Sequence, residues 1–237
     1  MFLAPFHASA NGLVTISAEQ GSRFAKEIAG DFNPIHNPDA KRFVVPGDLL
    51  FSLVLDRYGL NRRMAFSFTG MVGAGVALRF PETDAPAFAV EDTSGKGYLN
   101  VEREGAVSRE PGLVEGFTRA YVAFSGQTFP GVLVPLMREH GVMINPERPL
   151  VIYEGMSFDL KHLDFVAPQL ELVDASLAVS GKRGDVSLRF GIRADGAQVG
   201  TGAKKLVLSG LREFDEDDMD ALVDQYAGWK VAYQGGL

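Results

Sequence analysis

The chain has 237 residues, with 23 Lys plus Arg against 30 Asp plus Glu and a formal charge of −7, which argues against nucleic-acid binding driven by phosphate neutralisation. Hydrophobic residues at 46% and charged residues at 22% fit a chain that folds around a core rather than a disordered or fibrous one. The absence of cysteine excludes a disulfide framework, a thiolate zinc site and a cysteine nucleophile.

In chain order, Met1 to Gly12 lacks a basic start and an apolar run, and no stretch approaches the roughly 18 consecutive apolar residues that span a bilayer. A cytoplasmic protein with no membrane partner is therefore expected. The first helix begins at Ser17, whose hydroxyl can pair with Gln20 in a capping box. It buries Phe24, Ala25 and Ile28 and stops at Gly30. The next segment, Gly30-Asp31-Phe32-Asn33-Pro34-Ile35-His36, cannot continue that helix, because Pro34 pushes Asn33 away from the α region.

A second helix follows Val45-Pro46-Gly47-Asp48. Its apolar residues Leu49, Leu50, Phe51, Leu53, Val54 and Leu55 lie on all sides, and Asp56, Arg57 and Gly59 form its exit, so it must be surrounded by protein. Period-2, β-rich segments come next: Met64 to Phe80, Ala87 to Glu91 and Gly97 to Val107. Ser108-Arg109-Glu110-Pro111-Gly112 then interrupts both patterns. Phe129-Pro130-Gly131-Val132-Leu133-Val134-Pro135 repeats the earlier Pro-Gly entry and ends at Arg138-Glu139-His140-Gly141. Pro135 fits a helix there only in its first turn. Strands are predicted over Leu150 to Phe165, Leu170 to Val179, Asp185 to Arg193 and Gln198 to Leu208, with tight turns at Gly181 to Gly184 and Asp195-Gly196. A last helix over Glu216 to Ala227 is capped by Asp215, and its acidic start suits the helix dipole. The acidic run lacks the glycine and glutamate of a calcium loop.

One buried helix wrapped by an antiparallel sheet, present twice, is the plan of an α+β tandem (double) hot-dog. The expected division is 1–110, carrying the candidate site, and 111–237, a pseudo-dimer partner. Asp31 and His36 sit five residues apart on one bent loop, where a carboxylate beside an imidazole raises its basicity and can hold and deprotonate a water. The same residues also suit a plain structural role, since Asp31 and Asn33 are common turn formers and His36 can be a loop donor. His7, His140 and His162 read as structural or solvated, with His162 on a strand. The glycine-rich stretches Ser94 to Gly97 and Gly70 to Gly75 read as turns. No metal or cofactor is expected.

The Gly30 to His36 run resembles the Gly-Asp-x-Asn-Pro-(aliphatic)-His signature of the MaoC-like, R-specific enoyl-CoA hydratases of the hot-dog superfamily. The resemblance covers about residues 15 to 60 and implies a hydratase or dehydratase acting on trans-2-enoyl thioesters of CoA or acyl carrier protein, in fatty acid metabolism. In that case Asp31 and His36 activate the water and Asn33 orients them, while Gly47 and the NH of Asp48 hold the thioester carbonyl. Lys26, Lys41, Arg42, Arg62 and Arg63 are candidate partners for CoA phosphates. The chain departs from the signature in two ways. Its segment from His36 to Pro46 is short, with proline before Gly47, and the second half offers Ser125-Gly126-Gln127-Thr128-Phe129 where Asp and His would repeat. The alternatives are a non-catalytic acyl-thioester-binding protein and an acyl-CoA thioesterase. A homodimer is possible for any of them.

Overall fold

The computed structural model describes Phe2 to Gly235. Two short strands, β1 (Ala8–Ala10) and β2 (Leu13–Thr15), precede α1 (Ala18–Arg23). Ser17 and Gln20 make the expected capping box, and the helix then widens into a π turn over Phe24–Ala29 that ends at left-handed Gly30. A single 3-10 turn, Pro34–His36, leads toward α2 (Gly47–Tyr58). Then come β3 (Leu60–Phe68), β4 (Leu78–Arg79), β5 (Ala87–Asp92) and β6 (Gly97–Ser108), followed by α3 (Pro111–Gly126) and α4 (Leu133–Glu139). The remaining strands are β7 (Val142–Met143), β8 (Leu150–Leu160), β9 (Gln169–Ser180), β10 (Arg183–Ala194), β11 (Ala197–Ser209) and β12 (Arg212–Glu213), and α5 (Glu216–Gly235) closes the described chain.

Ten strands form one antiparallel sheet in the order β1-β2-β4-β5-β6-β3-β8-β11-β10-β9, while β7 and β12 pair separately. Near the middle of the sheet β3 pairs with β8, where Met64 faces Phe158 and Phe66 faces Met156. A mixed α and β architecture with a large antiparallel sheet is therefore present. Leu49, Leu50, Phe51, Leu53, Val54 and Leu55 of α2 are all buried, as their all-round apolar pattern requires. Phe51 packs against Phe66 of β3 and Tyr121 of α3. A second core gathers Leu133, Met137, Leu188, Leu206 and Leu208 beneath α4, with Leu222 of α5.

Several expectations are corrected. The segment after Pro111 is a sixteen-residue helix, not a bare linker. Pro111 occupies its first turn, where the missing NH costs nothing, and Glu110 caps it by accepting from the Leu113 amide at 2.7 Å. The repeat's second helix is only the seven residues of α4, with Pro135 inside its first turn. The stretch Met64 to Phe80 is not continuous strand: β3 starts earlier, at Leu60, and ends at Phe68, so most of the glycine-rich run that follows is loop. His162 lies beyond the end of β8 rather than on a strand. The last helix runs past Ala227 to Gly235, and the Asp218 amide donates to its cap, Asp215.

Candidate functional site

The π turn aims the chain out of α1, with the Asp31 amide donating to Ala25 O at 2.8 Å. Two nested turns then fix the loop. The Asn33 amide donates to Asp31 Oδ1 at 2.9 Å, and the Ile35 amide donates to Asn33 Oδ1 at 3.2 Å. Asn33 therefore positions Asp31 through its backbone, while its side chain caps the 3-10 turn. The side chain is drawn to that turn because Pro34 opens it and the Ile35 amide needs an acceptor.

His36 is buried and Asp31 is about one-third exposed, and His36 Nε2 lies 3.6 Å from Asp31 Oδ2. His36 Nδ1 is 2.7 Å from Val44 O. A carbonyl only accepts, so Nδ1 carries the proton, and in the neutral ring Nε2 turns its lone pair toward the carboxylate. Two acceptors facing each other beyond direct bonding distance suit a molecule that donates one hydrogen to each. Water does this and leaves its oxygen lone pairs free.

Asp31, Asn33, His36, Gly47 and Asp48 all line one cavity of about 360 Å³. In α2 the amides of Leu49 and Leu50 already turn to Pro46 O, whereas the amides of Gly47 and Asp48 belong to the first turn, which has no carbonyl to meet. Gly47 is required by a close approach: a Cβ there would stand 2.9 Å from Tyr153 Cδ1 and 3.2 Å from the Phe68 ring.

The rest of the chain supplies groups that sequence reasoning missed. Ser125 of α3 donates to Asp48 Oδ2 at 2.6 Å, and Lys204 of β11 donates to Ser125 Oγ. All three are buried. Burial raises the Asp48 carboxyl above its ordinary value and lowers the Lys204 ammonium, each partly offset by the other's charge. Lys204 Nζ also sits 4.5 Å from the centroid of the Tyr153 ring, and Tyr153 shares a hydroxyl hydrogen bond with Tyr121. Burial pushes both phenols well above their usual range. One signal was available: Lys204 and Lys205 are adjacent on a strand, so a period of two must turn one of them inward. From α5, Tyr226 accepts from the Phe32 amide at 3.0 Å, and burial followed by the nearby Asp31 charge raises its phenol.

Not every predicted cation faces the cavity. Arg62 donates to Leu160 O, and Arg63 is paired with Asp159 and Glu104 on the sheet. Lys41 and Arg42 are exposed on the turn between His36 and Val44.

The chain matches, over residues 1–217, the family described as "Protein of unknown function (DUF3581)". It belongs to that family. No curated protein matches it. Among solved structures, a conserved protein with a hot-dog fold from Alicyclobacillus acidocaldarius is similar at 9% identity and a TM-score of 0.48, covering 88% of this chain and 98% of that one. A putative thioesterase II from Thermobifida fusca shares 12% identity at a TM-score of 0.44, covering 87% and 96%. A MaoC-like dehydratase shares 10% at 0.43, covering 85% and 97%. The chemistry of the cavity has to be read from its own residues.

Proposed function

We propose that the protein is a tandem hot-dog enzyme that binds an acyl thioester in this cavity and hydrates a trans-2-enoyl chain, or dehydrates the 3-hydroxyacyl form. One observation carries the reading: the Asp31 carboxylate and His36 Nε2 face each other at 3.6 Å on the wall of a cavity that is also lined by Gly47 and Asp48, the first residues of α2.

A water donating to both groups would attack C3. Its proton passes to the dyad, its oxygen bonds to C3, and the double-bond electrons move through C2 onto the thioester oxygen. The amides of Gly47 and Asp48 would hold that developing enolate, helped by the positive end of the α2 dipole. The dyad then returns a proton to C2. The Asp48 carboxylate, turned to Ser125 and Lys204, has a counter-charge of its own.

The test follows the enoyl-thioester ultraviolet absorbance with crotonyl-CoA and a longer trans-2-enoyl-CoA, using the parent protein beside Asp31→Asn and His36→Ala. The reading expects turnover by the parent and a loss of roughly 100- to 10,000-fold in each variant. Release of free thiol from a saturated acyl-CoA, with no change in enoyl absorbance, would place the water's attack at the carbonyl and make the protein a thioesterase. Binding without either reaction would leave a non-catalytic acyl-thioester carrier.

A further inference from the structure

The ten-stranded sheet ends on two unlike edges. At one end β1 is three residues long. At the other β9 runs for twelve, and among the described residues it pairs only with β10. Its outer flank therefore presents backbone NH and C=O groups with no strand beside them. Long edges are ordinarily guarded by lysine, proline, a bulge or a covering element. β9 contains neither lysine nor proline. It does have a bulge, but the residue left out of the pairing with β10 is Val173, 68% exposed, rather than a charge.

Apolar exposure gathers at this edge. Seven large apolar side chains are exposed among the described residues, and four of them, Val166, Leu172, Val173 and Val179, lie on β9 or just before it. The strand's two acids are already met from within, Asp174 by Arg189 and Glu171 by Arg193, both on β10. An edge that is apolar and balanced in charge gives a charged peptide little to hold and suits a neutral strand of like pattern.

β9 is itself such a strand. Leu170, Leu172, Leu177 and Val179 share its core-facing side, since they pair with Ile192, Phe190, Val186 and Gly184 of β10. Laid antiparallel on a second copy, with a two-fold axis between Asp174 and Ala175, Leu170 meets Val179 of that copy and Leu172 meets its Leu177. Glu171 then stands opposite Ala178 and Asp174 opposite Ala175, so neither acid directly faces an acid. We propose that β9 is a self-pairing edge, through which two copies of the chain join their sheets into one continuous antiparallel sheet. Main-chain bonds supply the affinity and the apolar pairs set the register. Twelve residues a side is fewer than the roughly 20 to 30 of a standard interface, so the dimer comes apart on dilution.

Sedimentation velocity on the full chain from about 1 to 100 μM, the range of a modest interface, should show monomer giving way to dimer. Val173→Lys and the double variant Leu172→Lys/Val179→Lys should move that transition upward in concentration by at least about 10-fold while melting as the parent does. Val231→Lys, which removes an exposed apolar side chain from α5 instead, should leave it in place. Because the protein has no cysteine, the register can be read by oxidation. Residues 171 and 178 are about 23 Å apart along one strand, far beyond the reach of a disulfide, so Glu171→Cys/Ala178→Cys can cross-link only between copies, as can Leu170→Cys/Val179→Cys. One of these neighbouring pairs is the closely spaced kind of an antiparallel ladder and should yield a covalent dimer. The cysteine pairs decide the matter if the lysine variants lose their fold. A parent that stays monomeric throughout overturns the proposal and leaves the edge to a strand of another protein. A dimer that folded lysine variants do not weaken, or that neither cysteine pair captures, overturns it as well.

Discussion

The two polar clusters of the cavity are built in opposite ways. The dyad loop is local: Asp31, Asn33 and His36 come from one short segment and are held by bonds to residues two or eight positions away. The second, a buried knot of Asp48, Ser125 and Lys204, is assembled at long range, with Ser125 77 residues from Asp48 and 79 from Lys204. Asp31 keeps about a third of its side chain in solvent, whereas the knot is sealed. A cluster built by local turns can lose its chemistry while the fold survives. One built by tertiary contact cannot be altered without disturbing the packing that creates it.

The sharpest way to test that contrast is to measure rate and stability on the same variants. Asp31→Asn and His36→Ala should lower turnover by roughly 100- to 10,000-fold. Their unfolding free energies in urea should change by about 1 kcal/mol, the size of a single lost hydrogen bond. A collapse of stability in either variant would show that the loop is part of the core after all.

Lys204→Met should do the reverse, costing about 3–5 kcal/mol of stability by stranding a buried carboxylate. Adding Asp48→Asn should return much of that loss, and a double-mutant cycle measures the coupling. The dependence on pH has a definite sign. Burial raises the folded Asp48 carboxyl above its ordinary value, so over that window the folded state holds more protons than the unfolded one. Its contribution to stability therefore falls as pH rises from the usual carboxylate range through the raised value. Without Lys204 the raise grows, and the deficit of Lys204→Met should be smaller at acid than at neutral pH. An equal deficit at both would mean that the lost packing of the lysine stem, not the stranded charge, sets the cost.

Gly126→Ala tests the joint between the clusters. A Cβ at Gly126 would fall 1.8 Å from Ala29 O, on the last turn before the dyad loop, so α3 or that turn must shift. A loss of about 1–3 kcal/mol is expected, with reduced turnover because Asp31 is displaced along with it. An unchanged melting temperature would show that the two elements separate freely.

The same contrast explains what the sequence made legible. The capping box at Ser17, the stop at Gly30, the buried α2 and the β-rich segments all follow from short-range spacing, and so does the placing of Asp31 near His36. The helix after Pro111 escaped because its cap is a glutamate and three glycines blur its pattern. Ser125 carried no signal, since its meaning depends on Asp48 lying opposite. Lys204 carried one only in retrospect, as half of an adjacent pair on a strand that faces the core. Tyr226 was invisible for the same reason as Ser125: 194 residues separate it from the Phe32 amide that it accepts from.

Tyr226→Phe is the smallest change and the one that links the local cluster to the distant part of the chain. The phenol oxygen takes the Phe32 amide between Asp31 and Asn33, and the ring packs edge-on against Phe32. Replacing it with phenylalanine keeps the ring and removes the acceptor, leaving a buried amide unmet at a cost of about 1 kcal/mol or slightly more. Because the Tyr226 phenol holds the loop at the Phe32 amide and lies beside the Asp31 carboxylate, the substitution should lower kcat by loosening Asp31 while leaving the affinity for a saturated acyl-CoA unchanged. A shift in affinity with kcat preserved would instead give Tyr226, which also lines the cavity, a direct contact with the acyl chain. The local cluster would then owe nothing to the distant helix.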